Sequence, residues 1–172
     1  SRQKDKYIMT PMQEYKMLYE RMHEISTEQG WGDPFSYARS REILIAGTLG
    51  HKISSTLSGA DGIDQDGECE YKSTVNGNIQ GGYTGISVHE TWEKQVDYLR
   101  NHKIAKYKNH YISRFSGGMI AEIWKLDGTV VCDILEPKLE KNYPTVLTKK
   151  DPRLRALLTK KEIHANGEKI FG

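Results

Sequence analysis

Cysteine is scarce in this chain: there are two in 172 residues, Cys69 and Cys132. They form no C-x-x-C pair and have no histidine at ligand spacing, which argues against a disulfide framework and against a zinc site. The expectation is two buried thiols, both on strands, in a reducing compartment, cytoplasmic or nucleoid-associated. Long apolar runs are missing too. Nothing approaches the roughly eighteen uninterrupted apolar residues of a membrane span, so no membrane partner is expected. The stretch SRQKDKYIMTP is basic but leads into no apolar segment, and does not read as a signal peptide. There are no repeats, no low-complexity tracts and no linker, and the histidines form neither an H-N-H nor an H-E-x-x-H arrangement. The formal net charge of +2 is too small to indicate nucleic acid by itself.

What is present fits one globular domain over residues 1–172, with 37% hydrophobic and 28% charged residues. Thr10, Pro11 and Gln13 give a cap, an N1 proline and a capping-box partner, so a helix is expected over 11–29, ended by Gly30. A second helix is expected from about Tyr37 to Leu49, opening a core of about residues 37–135. Strands are expected at 60–64 and 68–74, joined across Gln65-Asp66-Gly67. A polar, glycine-rich loop, NGNIQGGYTGIS, should then lead to a helix over 89–101. NHYISRF, GMIAEIWKL and TVVCDIL read as three strands, with Asp127-Gly128 as the second turn. The basic segment 149–172 reads as a short helix and a loose end. The fold class is α/β, a mixed central sheet flanked by helices.

The hairpin GADGIDQDGECEYKS carries the chemistry. With its turn centred on Gln65 and Asp66, Asp61 lies opposite Glu70, and Glu70 and Lys72 share one face of their strand. A bulge at Gly67 would exchange Asp61 for Asp64. Two adjacent carboxylates repel unless they share a positive charge, and oxygen donors of this kind suit magnesium (Mg²⁺), or Mn²⁺ in its place. Lys72 beside such an ion could orient a water or balance charge on a phosphorane. The competing reading is a solvated surface hairpin. Glu42, in the apolar run SREILIAGTLG, needs a partner if buried: Arg39, Arg41, or the same cation.

An acid on a helix, then an aspartate, then Glu70-Tyr71-Lys72 on the following strand resembles the PD-(D/E)xK nuclease superfamily, the restriction-endonuclease-like proteins, over about residues 37–115. The resemblance implies a mixed four-stranded sheet with flanking helices. It also implies Glu42, Asp61, Glu70 and Lys72 as catalytic residues and Glu42, Asp61, Glu70 or Asp64 around the metal. Ala60 stands where the family's proline usually does. Gln95 and Tyr98 sit one residue closer than the Q-x-x-x-Y element of the exonuclease-like branch.

Double-stranded DNA is the implied partner, with a homodimer supplying one site per strand. Phosphate contacts are expected from Lys106, Lys108 and Arg114, and from Lys149, Lys150, Arg153 and Arg155. Asn76, Asn78, Gln80 and Tyr83 are expected to reach bases or phosphates from the polar loop. The expectation is a Mg²⁺-dependent endonuclease. The alternatives are a non-catalytic nucleic-acid-binding module or a structural protein.

Overall fold

The computed structural model describes residues 8–55, 59–75 and 77–172. Helix α1 runs Pro11–Gln29, with the Thr10–Gln13 capping box formed in both directions and Gly30 left-handed at its end. Helix α2 is Arg39–Leu49. Strand β1 (Lys52–Ile53) precedes a hairpin of β2 (Gly62–Asp64) and β3 (Gly67–Val75). Strand β4 (Gly81–Ser87) and helix α3 (Trp92–Tyr98) follow, and α3 passes directly into a π-helical turn, Leu99–Lys103. Strands β5 (Asn109–Ser116) and β6 (Met119–Asp127) form a second hairpin. Then come α4 (Gly128–Leu147), β7 (Arg153–Leu158), α5 (Lys160–Asn166) and β8 (Glu168–Phe171).

Six strands form a mixed sheet in the order β1-β2-β3-β5-β6-β8. Only β3 and β5 run parallel, so the chain between them must cross over one face, and β4 and α3 make that crossing. Strand β4 pairs with β7 in a separate two-stranded ribbon. Ile45 and Ala46 of α2 pack on Cys69, Tyr71, Tyr111 and Phe115 on one face of the main sheet. On the other face Ile112 and Leu126 meet α4, the ribbon and the π-turn through Leu135, Leu139, Tyr83, Leu154 and Ile104. The sheet is therefore buried on both sides, and alternate residues of β3 face different cores.

Several expectations are corrected. TVVCDIL is not a strand but the first part of α4. Asp127 does not make a hairpin turn; its carboxylate accepts from the Thr129 amide at 2.8 Å as a helix cap. Gly128 is needed there because a Cβ would lie 1.9 Å from the Tyr107 carbonyl oxygen. The buried set Val131, Cys132, Leu135, Leu139, Tyr143 and Val146 has helical spacing, which overrides the β-branched start. Cys132 is thus buried on a helix, while Cys69 is buried on β3 as expected, and both thiols are free.

The glycine-rich loop is largely β4. The tail is no loose end either: Leu154, Ala156 and Leu158 alternate inward along β7, and β8 joins the main sheet at β6. No helix among the described residues is long and apolar enough to cross a membrane.

Candidate active site

The hairpin register puts the acids together. Gly62 pairs with Cys69 and Asp64 with Gly67, and no bulge intervenes, so Asp61 stands beside Glu70. The Asp61 amide still donates to the Cys69 carbonyl at 3.1 Å. Its carboxylate then takes the place of the next ladder acceptor, with Oδ2 accepting from the Tyr71 amide at 2.9 Å. Asp61 stands just before β2 begins, and its carboxylate is held against the edge of β3. Gly62 is required, since a Cβ would lie 2.2 Å from the Tyr71 hydroxyl.

Asp61 and Glu70 lie within hydrogen-bonding reach of each other's carboxyl groups. Burial pushes Glu70 up to about 7; Lys72 opposes that rise and the Asp61 charge adds to it. Asp61 is raised as well, again chiefly by burial, against the pull of the Tyr71 amide and Lys72. Lys72 Nζ lies 3.1 Å from Glu70 Oε1.

Glu42 reaches the same cluster from α2. Its pKa is raised by burial and then by Asp61, while Arg39 and Lys72 pull it down. Of the two partners the sequence offers, Arg39 pairs with it and Arg41 does not. Arg41 turns to the Ser73 hydroxyl at 3.0 Å. Arg39, held by the carbonyls of Trp31 and Ser54, forms an ion pair with Glu42, its Nη1 3.6 Å from Oε2. That oxygen is buried and accepts no hydrogen bond from the described residues.

Asp64 lies on the opposite face. It accepts from Tyr111 Oη at 2.7 Å, from Asn109 at 2.8 Å and from the Asp66 amide at 2.8 Å. Burial works against its charge, but these bonds outweigh it and hold the carboxyl below its usual range. Its lone pairs are occupied in fixing the turn, so it does not join Asp61 and Glu70.

Lys72 rests over the Tyr83 ring, 4.7 Å from its centroid. The Tyr83 hydroxyl lies 2.7 Å from His110 Nδ1, and His110 Nε2 lies 2.8 Å from the Ile104 carbonyl oxygen. A carbonyl only accepts, so Nε2 carries the proton and Nδ1 accepts from tyrosine. Burial lowers the His110 pKa to about 4, keeping the ring neutral. Glu70, Lys72, Tyr83, Lys103, Tyr107 and His110 line a cleft with about 50 Å³ of water-accessible space. That admits a few waters but no nucleotide base.

The expected place of Tyr83 at a DNA surface is corrected. It is buried, its hydroxyl turned inward to His110, and it forms the wall behind Lys72. No motif marks Tyr83 or His110 as part of the site. The one usable signal is alternation: His110 and Ile112 pair with Glu70 and Lys72, on the face those residues occupy. Gln95 is buried in α3, bonded to the His89 amide and the Ser87 carbonyl, and holds the end of β4.

Thr84 lines this cleft and also a neighbouring groove with Gly82, Asn142 and Arg155; Arg155 in turn borders a third depression with Lys149 and Arg153. The β4–β7 ribbon thereby joins the acids to the expected basic segment along one face. Lys150, Lys106 and Lys108 are exposed, the last 3.7 Å from Asp66. Arg114 is bound by both Nε and Nη2 to Glu122. It lines a separate polar pocket with Asn78, Trp124, Lys160, His164 and Lys169. Gln80 is exposed, its carbonyl accepting from Thr74, and Asn76 lies outside the described residues.

The donor set can be judged against the needs of Mg²⁺. Among the described residues, no group of three His, Cys, Asp or Glu side chains closes around one point. The chemistry nevertheless fits: two adjacent carboxylates with raised pKa values, a third acid with an oxygen that accepts no hydrogen bond from the described residues, and water-accessible space beside Glu70. A magnesium ion typically takes one or two protein carboxylates and keeps several waters. Compared with known proteins, the chain matches no family model and no curated sequence.

Proposed function

We infer that this chain is a divalent-metal-dependent endonuclease that hydrolyses phosphodiester bonds in double-stranded DNA. The observation that carries this reading is the pairing of Asp61 with Glu70 beside Lys72, with Glu42 Oε2 buried nearby, ion-paired to Arg39 but accepting no hydrogen bond from the described residues. Asp61 and Glu70 would hold Mg²⁺, or Mn²⁺ in its place, with Glu42 adding a third oxygen. When bound, the ion supplies positive charge to the phosphate oxygens and acidifies a water.

The rest falls to the chain itself. Lys72 is fixed between Glu70 and the Tyr83 ring, so its ammonium meets the developing phosphorane charge at little reorganisation cost. The narrow cleft keeps bases out, and the scissile phosphate approaches at its mouth. The groove from Thr84 to Arg155, Arg153 and Lys149 provides cations for the flanking backbone. A duplex needs both strands cut, and the assembly proposed for that is a homodimer.

One observation favours a second reading. Lys72 already neutralises Glu70 directly, as expected of a module that binds DNA without cutting it. Incubating the protein with supercoiled and linear duplex DNA, with Mg²⁺ and with EDTA, separates the two. Cleavage that requires the ion supports the nuclease, and ion-independent binding without nicking supports the binding module.

A further inference from the structure

Helix α1 is well capped, yet among the described residues little covers it beyond Phe35, which stacks on Tyr19. Every residue from Pro11 to Glu24 is exposed, and Ser26 is the only buried residue of the helix. A helix of 19 residues this isolated gains little from tertiary packing, which normally supplies most of a helix's stability. Nor is its surface uniformly polar. Met12, Tyr15, Leu18, Met22 and Ile25 recur at spacings of three and four, forming one apolar stripe. The stripe does not end with the helix. Met22 is also part of a largely apolar groove formed with Ile43, Leu44 and Gly47 of α2, Val75 at the end of β3, and Phe115.

We propose that two copies of this chain associate through this surface, their α1 helices antiparallel about a two-fold axis and each stripe running into the other copy's groove. The area is sufficient for such an interface. Met12, Tyr15, Leu18, Met22, Leu44 and Val75 are between 43% and 78% exposed. At roughly 200 Å² for a large side chain, they offer about 650–700 Å² per copy, against ~800 Å² per partner in a stable interface of standard size. The surface is also self-complementary, as a two-fold interface demands: one stripe and one groove on every copy.

Charge selects the register. Glu14 and Arg21 both precede stripe residues, Tyr15 and Met22, and so lie seven apart along the same edge of the stripe. In the antiparallel pair that sets Tyr15 against Leu18 of the second copy, Glu14 faces Arg21 of that copy, and the two-fold axis repeats the pair in reverse. The same register lays Met12 against Met22 of the second copy, at the mouth of the groove. The exposed first half of α1 is thereby covered. Arg21 lies 3.1 Å from Glu24 of its own helix, an exposed pair that contributes little and can be exchanged.

The test is sedimentation equilibrium of the full chain over a concentration series, without DNA or metal, so the result does not depend on nuclease activity. The expected result is a reversible dimer that Leu18→Glu converts to monomer with an unchanged circular dichroism spectrum. Glu14→Arg should weaken association about tenfold, as should Arg21→Glu. The double variant Glu14→Arg/Arg21→Glu should recover at least half of the loss in binding free energy. A monomer at all concentrations would overturn the proposal and leave the stripe to a different partner. A dimer unaffected by Leu18→Glu would place the interface elsewhere, and a double variant no better than the singles would rule out the antiparallel register.

Discussion

The hydroxyl of Tyr83 donates to Nδ1 of His110 across 2.7 Å, inside a core where both residues are almost wholly buried. This bond fixes a ring whose face carries Lys72. Tyr83→Phe keeps the ring but leaves a buried imidazole acceptor unpaired, a loss of about 1–3 kcal/mol in unfolding free energy. Tyr83→Leu also removes the π face and should lower kcat further than Tyr83→Phe, with KM for DNA little changed. Urea denaturation and cleavage kinetics on the two variants check both statements.

The raised acids make a prediction about pH. A carboxyl with a folded pKa above its unfolded value stabilises the fold at low pH, and that contribution is lost as pH rises towards the folded value. For Glu70 the window runs from the ordinary carboxylate range up to about 7. His110, lowered to about 4, acts in the opposite direction over much of the same range, so the overall stability curve is not diagnostic. The response to Mg²⁺ is. The ion competes with the proton, so its thermal stabilisation should be larger near pH 8 than near pH 5.5, and Glu70→Gln should abolish the difference. Equal stabilisation at both pH values would place the ion elsewhere.

Asp61 and Asp64 should separate cleanly. Asp61→Asn should remove Mn²⁺ binding in calorimetry while costing little stability, since Asn can still accept from the Tyr71 amide. Asp64→Asn should leave Mn²⁺ binding intact but destabilise the hairpin by about 1–3 kcal/mol, because charge-assisted bonds from Tyr111 and Asn109 become ordinary ones.

This division shows which features are legible in the sequence. The two-residue turn at Gln65-Asp66 dictates register over a few residues, and the Thr10 capping box dictates a helix start; both are local and both can be read. What cannot be read is non-local. The glycine-rich β4 has weak strand propensity and is specified by pairing with β7, far along the chain. Asp127-Gly128 resembles a hairpin turn until Tyr107 is packed against it. Likewise the meeting of Asp61, Glu70 and Lys72 follows from the turn, and Glu42 joins them through the family resemblance, whereas Tyr83 and His110 require the crossing of β4 over the sheet. The orientation of Asp61 against Asp64 depends on whether Gly67 carries a bulge, a choice that a single sequence leaves open.

The basic groove predicts the salt response. Changing Lys149, Arg153 and Arg155 together to Gln should weaken duplex binding at low salt. It should also reduce the slope of log K against log salt by about one for each phosphate left without its cation. An unchanged slope in fluorescence anisotropy titrations would remove this surface from the DNA path.

The central claim is that Glu70 serves a cation while Lys72 serves the transition state. It is tested most directly by measuring Mn²⁺ affinity and single-turnover DNA cleavage side by side for Glu70→Gln and Lys72→Met. Glu70→Gln should lose both together. Lys72→Met should keep metal affinity within a few-fold and lose cleavage by several orders of magnitude. If both variants, shown to be folded, bind Mn²⁺ and cut DNA at the rate of the parent chain, the site is misassigned.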